Sequence, residues 1–144
     1  NLRIPWFIFS DGEQDAIRSI YSCFKQLSIP LDTSRCIIIP GGKNFEAYIA
    51  NDIYKDVLIN MIIETKAENE RHKEALKLEW QRKTDPLNAV ASELKRNKTK
   101  YGRLIAEVIT SMPQEELRFP EIIRKLFKEI SKDLESNKIV DDIQ

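Results

Sequence analysis

The chain opens on a run of bulky apolar residues with no alternation, Ile4-Pro5-Trp6-Phe7-Ile8-Phe9, ended by Ser10-Asp11-Gly12-Glu13. A strand covered on both faces shows this pattern, whereas a half-exposed strand alternates, so residues 4–9 are predicted to form a central strand that Gly12 breaks with a sharp turn. Residues 14–27 then set Ala16, Ile17, Ile20, Tyr21, Phe24 and Leu27 at helical spacing, and Ser28-Ile29-Pro30 stops them. Residues 36–39, Cys-Ile-Ile-Ile, read as a second buried strand closed by Pro40-Gly41-Gly42. Strand, helix and strand in this order predict a right-handed parallel crossover.

From Asn44 onward the spacing is helical. Phe45, Ile49, Ile53, Val57, Leu58, Met61 and Ile62 mark an apolar face, which gives way to a charged segment from Glu64 to Lys83, read as a long solvated helix or an inserted arm. Asp85-Pro86 starts a further helix over residues 87–95. The basic stretch Lys95 to Arg103 interrupts it before Leu104, Ile105, Val108 and Ile109 resume the apolar pattern. Residues 120–134 form a last amphipathic helix with Pro120 in its first turn and Ile122, Ile123, Leu126, Phe127, Ile130 and Leu134 inward. The expected class is α/β: a partial parallel sheet with flanking helices over residues 1–62, continued by a mostly helical subdomain over residues 63–144.

Composition narrows the function classes. A chain of 144 residues is one domain by length, and its 23 basic and 23 acidic side chains cancel, so no global field steers it to nucleic acid or anionic lipid. Any polyanion site must be local. Cys23 and Cys36 stand among apolar neighbours without metal-ligand spacing, which predicts reduced, buried thiols in a cytosolic protein. No apolar stretch reaches the roughly 18 residues that span a bilayer, and no signal peptide is present, so the expectation is a soluble protein without a membrane partner. The start at Asn1, almost directly on a core strand, points to a piece of a longer polypeptide.

The candidate chemistry begins with Asp11 and Glu13, two carboxylates at the end of an apolar strand. In open α/β sheets ligands gather at the carboxyl ends of strands, and Mg²⁺ or Mn²⁺ takes one or two carboxylates while keeping several waters. The plain alternative is that Asp11 caps the next helix and Glu13 complements its positive end. Glu46, just past the second strand, is a third acid; three carboxylates on one edge repel unless a cation neutralises them. The basic stretch supplies five cations in nine residues, Lys95, Arg96, Lys98, Lys100 and Arg103, the only phosphate-contacting patch in a chain of zero net charge. A solvated loop explains it equally well. His72, the only histidine, reads as a surface residue, which argues against a serine triad.

Ile8-Phe9-Ser10-Asp11-Gly12-Glu13 resembles the acidic Asp-x-Asp motif of Toprim domains, and the order that follows is similar to the Toprim part of OLD-family (overcoming lysogenization defect) ATP-dependent endonucleases. Phe45-Glu46 matches that family's hydrophobic-Glu pair after the second strand. Lys100-Tyr101-Gly102-Arg103-Leu104-Ile105-Ala106-Glu107 matches its later lysine-led helix, and Phe119-Pro120-Glu121-Ile122-Ile123 its Pro-led terminal helix. The resemblance covers residues 4–130. It implies Mg²⁺- or Mn²⁺-dependent DNA cleavage in bacterial anti-phage defence, with an ATPase domain in the same polypeptide or complex and assembly into homo-oligomers in the cytoplasm. Asp11, Glu13 and Glu46 would then bind metal, Lys100 would contact the scissile phosphate with Lys98 as the close alternative, and Lys95, Arg96, Lys98 and Arg103 would bind DNA.

Two departures stand out. The family's first Toprim strand with its catalytic Glu is absent, so the chain is expected to lack a complete site, and Glu13 replaces the usual Asp. Primase, topoisomerase or small-ribonuclease chemistry would need sequence partners that are missing. The rival from another class is a non-catalytic regulatory or interaction module, with Asp11 as a structural cap and the charged helix as its binding surface.

Overall fold

The computed structural model describes residues 6–141, with side chains through residue 135. Ile4 and Pro5 of the expected first strand lie outside the described residues. In chain order the elements are β1 (Ile8–Ser10), α1 (Gln14–Gln26), β2 (Cys36–Ile38), α2 (Phe45–Ile49), α3 (Lys55–Lys66), α4 (Glu70–Gln81), α5 (Pro86–Arg96), α6 (Lys98–Thr110) and α7 (Glu121–Asp141). The chain is mostly helical with a small parallel sheet, α/β in the coarse sense. It forms two compact units: one from the residues up to Asn44 with those from Pro120 onward, the other from Phe45–Phe119. Within the second unit α3 packs with α4, α5 and α6.

In the first unit β1 and β2 pair in parallel, with Ile8 opposite Cys36, Phe9 opposite Ile37 and Ser10 opposite Ile38. Ile37 and Ile39 are buried, but Phe9 keeps 38% exposure, so β1 is not the doubly covered strand its composition predicts. The α1 helix has the expected bounds within one residue yet buries none of its side chains, and Tyr21 and Leu27 of its predicted inner face are exposed. Its end has a clear cause. Ser28 takes φ 53°, Ile29 N–H donates to Phe24 C=O and Ser28 N–H to Lys25 C=O, so the last carbonyls are satisfied by a left-handed turn.

The α7 helix follows Pro120 and buries Ile122, while Phe127 and Leu134 remain exposed against expectation. Arg35, beside β2, ion-pairs with Asp133 of α7 and lies 5.2 Å from the Phe7 ring centre. Cys23 is exposed and Cys36 half-buried, which corrects the expectation of two buried thiols; both are free. Burial, with Asp32 nearby, pushes the Cys36 thiol up.

The second unit holds the larger core, with Ile49, Leu58, Ile62, Val90, Leu94 and Tyr101 fully inaccessible. The charged segment is neither one long helix nor an arm. It breaks after Lys66, restarts where Asn69 accepts a hydrogen bond from His72 N–H at 2.9 Å, and buries Trp80. Asp85 caps α5 by accepting from Asn88 N–H at 3.0 Å, with Pro86 at the first helical position as the sequence predicts. The basic stretch is not a loop either: only Asn97 interrupts the helices, and Lys98 already belongs to α6. Among the described residues no helix is long and apolar enough to cross a membrane.

Candidate metal and phosphate site

The β1–α1 turn is pressed against the backbone that follows β2. Ile39 N–H donates to Ser10 C=O at 3.0 Å and Gly12 N–H to Lys43 C=O at 2.8 Å. A β-carbon on Gly12 would lie 2.0 Å from the Ile39 carbonyl oxygen, far inside contact distance. Glycine is therefore required at residue 12 by close approach rather than by a left-handed backbone, which occurs instead at Gly41 and Gly42 in the turn after β2.

This contact holds Asp11 and Glu13 at the carboxyl end of β1, as the sequence predicts. Asp11 is half-buried. The helix cap position falls on Glu13, whose side chain makes no cap hydrogen bond, so Asp11 does not occupy the capping position that the structural alternative gives it. The Glu13 carboxylate turns elsewhere: its Oε1 accepts from Asn44 Nδ2 at 3.1 Å, and Asn44 is buried.

In the second unit Glu46 stands in the first turn of α2 with 9% exposure. Its Oε1 lies 3.2 Å from Lys98 Nζ, and its Oε2 is buried without a hydrogen-bond partner among the described residues.

The basic residues separate by helical geometry. Lys98 meets Glu46, whereas Lys100, on the same helix and turned from it by roughly 200°, lies with its Nζ 5.9 Å from the Tyr101 ring centre. Arg103 Nε pairs with Glu107 Oε1 at 2.6 Å, and Lys95 and Arg96 are exposed in the last turn of α5. Of Lys98 and Lys100, it is thus Lys98 that lies beside Glu46. His72 sits at the start of α4, with its Nδ1 3.4 Å from Glu68 N–H.

Sequence reading missed a polar cluster built on Glu93. Its Oε2 lies 2.8 Å from Lys66 Nζ, and its Oε1 accepts from Tyr101 OH at 3.0 Å and Asn97 Nδ2 at 3.2 Å. Burial pushes the Glu93 carboxyl up, but the bonds from Lys66 and Tyr101 outweigh it and hold the group below its ordinary value. Burial and the adjacent Glu93 push the Tyr101 hydroxyl up to about 12. The available signal was the spacing of four between Glu93 on α5 and Asn97, the residue that ends it.

Among the described residues no three His, Cys, Asp or Glu side chains form a metal-holding group. The candidate acids divide between the units, Asp11 and Glu13 in the first and Glu46 in the second. Compared with known proteins, the chain matches no family model, no curated protein and no solved structure.

Proposed function

We propose that this chain is the metal-binding part of a Toprim nuclease of the OLD type, acting in hydrolysis of DNA phosphodiesters within a polypeptide or complex that supplies the ATPase domain and the remaining carboxylate. The observation that carries the reading is Glu46: a buried carboxylate in the first turn of a helix, held 3.2 Å from the Lys98 ammonium. Support also comes from Asp11 and Glu13 at the carboxyl end of a parallel strand, next to a turn that only glycine can make.

In this reading Asp11 and Glu13 of the first unit and, separately, Glu46 of the second are Mg²⁺ or Mn²⁺ ligands, and their oxygen chemistry suits such hard cations. The bound ions would supply an activated water and charge stabilisation for the leaving oxygen. Asn44 orients Glu13 by donating to it. Lys98 takes the phosphate-contacting role in preference to Lys100, because it is the ammonium held beside the acid. Lys95, Arg96 and Arg103 serve as DNA backbone contacts, and the active assembly is a bacterial cytoplasmic homo-oligomer in anti-phage defence. The test is DNA cleavage by the complete polypeptide with Mg²⁺ or Mn²⁺: Lys98→Ala should remove the activity, and normal cutting without Lys98 would reject the assignment.

The rival, a non-catalytic interaction module, draws on a different observation. Tyr21, Leu27 and Ile29 at α1 are large, apolar and exposed. Binding of a partner through α1 with no response to Mn²⁺ would favour it.

A further inference from the structure

The polar cluster on Glu93 is absorbed neither by the core nor by the proposed chemistry, yet it sits where the helix carrying Lys98 begins. Asn97 is both the residue that ends α5 and the residue that precedes α6, with φ −127° and ψ 44°, outside the helical region. An α6 that started one residue earlier or later would turn every following side chain by roughly 100° and take Lys98 away from Glu46. Two hydrogen bonds to Glu93 Oε1 oppose that slip. One comes from Asn97 Nδ2 at the junction, the other from the hydroxyl of Tyr101 one turn into α6. The Tyr101 ring is fully buried, so its hydroxyl is a fixed point rather than a swinging arm. Lys66, from α3, supplies the positive charge without which a carboxylate at 11% side-chain exposure would be costly to hold there.

We infer that Glu93, Tyr101, Asn97 and Lys66 are positioning residues, which set the start and rotation of α6 and thereby aim Lys98 at Glu46. The catalytic meaning of this aim rests on the proposed cleavage; the contact itself does not. A buried tyrosine kept only for packing would leave no need for three donors on one carboxylate, whereas a cluster that fixes a helix junction needs anchors on both sides of it. Glu93 lies on α5 before the junction, Tyr101 on α6 after it, and Asn97 at it.

The test is the energetic coupling between Glu46 and Lys98, read from urea unfolding of the whole chain. With Trp6 replaced by Phe, Trp80 remains as the reporter inside the unit that holds the cluster. Wild type, Glu46→Gln, Lys98→Met and the double variant form one cycle, repeated with Tyr101→Phe added to all four. Coupling should be present in the first cycle and lost in the second. Equal coupling in both would mean that Tyr101 only stabilises, and no coupling in either would mean that the cluster aims nothing; both overturn the inference. If Tyr101→Phe fails to fold, Asn97→Ala replaces it, since it removes a single hydrogen bond from Glu93. Because the cycle reads stability alone, normal cleavage by Lys98→Ala would end the phosphate-contacting assignment of Lys98 while leaving this result to stand or fall separately.

Discussion

Lys98 Nζ lies 3.2 Å from Glu46 Oε1, and Lys100, two residues further along α6, leans on the ring of Tyr101 instead. One helix therefore assigns its two lysines different surroundings. Lys98→Ala is expected to lower metal-dependent cleavage by the complete polypeptide about a hundredfold or more, the scale for one preorganised charge-stabilising group. Lys100→Ala should leave the rate near normal and weaken DNA binding, with a salt-dependence slope smaller by about one unit if it touches a phosphate. Rates and affinities at two salt concentrations separate the roles; a slow Lys100→Ala with a normal Lys98→Ala reverses the assignment.

Gly12 and Gly102 predict opposite responses to the same substitution. At Gly12 the added carbon would meet the Ile39 carbonyl at 2.0 Å, so Gly12→Ala should cost about 3 kcal/mol or more, or prevent folding. At Gly102, in the interior of α6 with nothing within 4 Å, Gly102→Ala should stabilise by about 0.5–1 kcal/mol. Urea unfolding measures both, and a benign Gly12→Ala would show that the turn does not press on β2 in solution.

Much of this geometry was legible in the sequence. The end of α1, the Asp85-Pro86 start of α5 and the parallel pairing of the two apolar runs follow from local chemistry: a stop signal, a cap, and strands joined through a helix. What failed was what depends on neighbours. The composition of β1 says that it can be covered, not that it is, and Phe9 keeps one face exposed. The charge of residues 64–83 hides that Trp80 is buried and that Asn69 splits the segment. Lys98 could not be told from Lys100, because the start of α6 is set by Asn97 and by Tyr101 reaching Glu93, not by the basic run itself.

Tyr101 predicts an alkaline limit to stability. Its hydroxyl titrates at about 12 in the folded chain against roughly 10 when unfolded. A raised value stabilises fully below the unfolded value and is lost as pH climbs through the folded one. Wild type should thus lose on the order of 2 kcal/mol between about pH 10 and 12 that Tyr101→Phe does not lose. Glu93 acts in the opposite sense: its lowered value contributes stability above the unfolded pKa, lost as pH falls through the folded one, and Glu93→Gln should flatten that acid loss. Unfolding free energies across pH, taken as differences from wild type, check both.

Ser28 holds a left-handed conformation at the end of α1 with φ 53°. A side chain costs about 1 kcal/mol there, and glycine removes it. Ser28→Gly should raise stability by about 0.5–1 kcal/mol in urea unfolding followed by Trp6; a loss would mean that the serine hydroxyl, and not the turn, secures the helix end.

The central proposal is that Asp11 and Glu13 in the first unit, and Glu46 in the second, are cation ligands. Mn²⁺ binding, followed by the water-proton relaxation of the free and bound ion, tests it without relying on cleavage. Wild type should bind Mn²⁺ in a way that Mg²⁺ competes with, and Asp11→Asn and Glu46→Gln should each weaken binding about tenfold or more while remaining folded, the scale on which even outer partners of a metal site matter. Equal Mn²⁺ binding by wild type and both variants, or none by any of them, would contradict it.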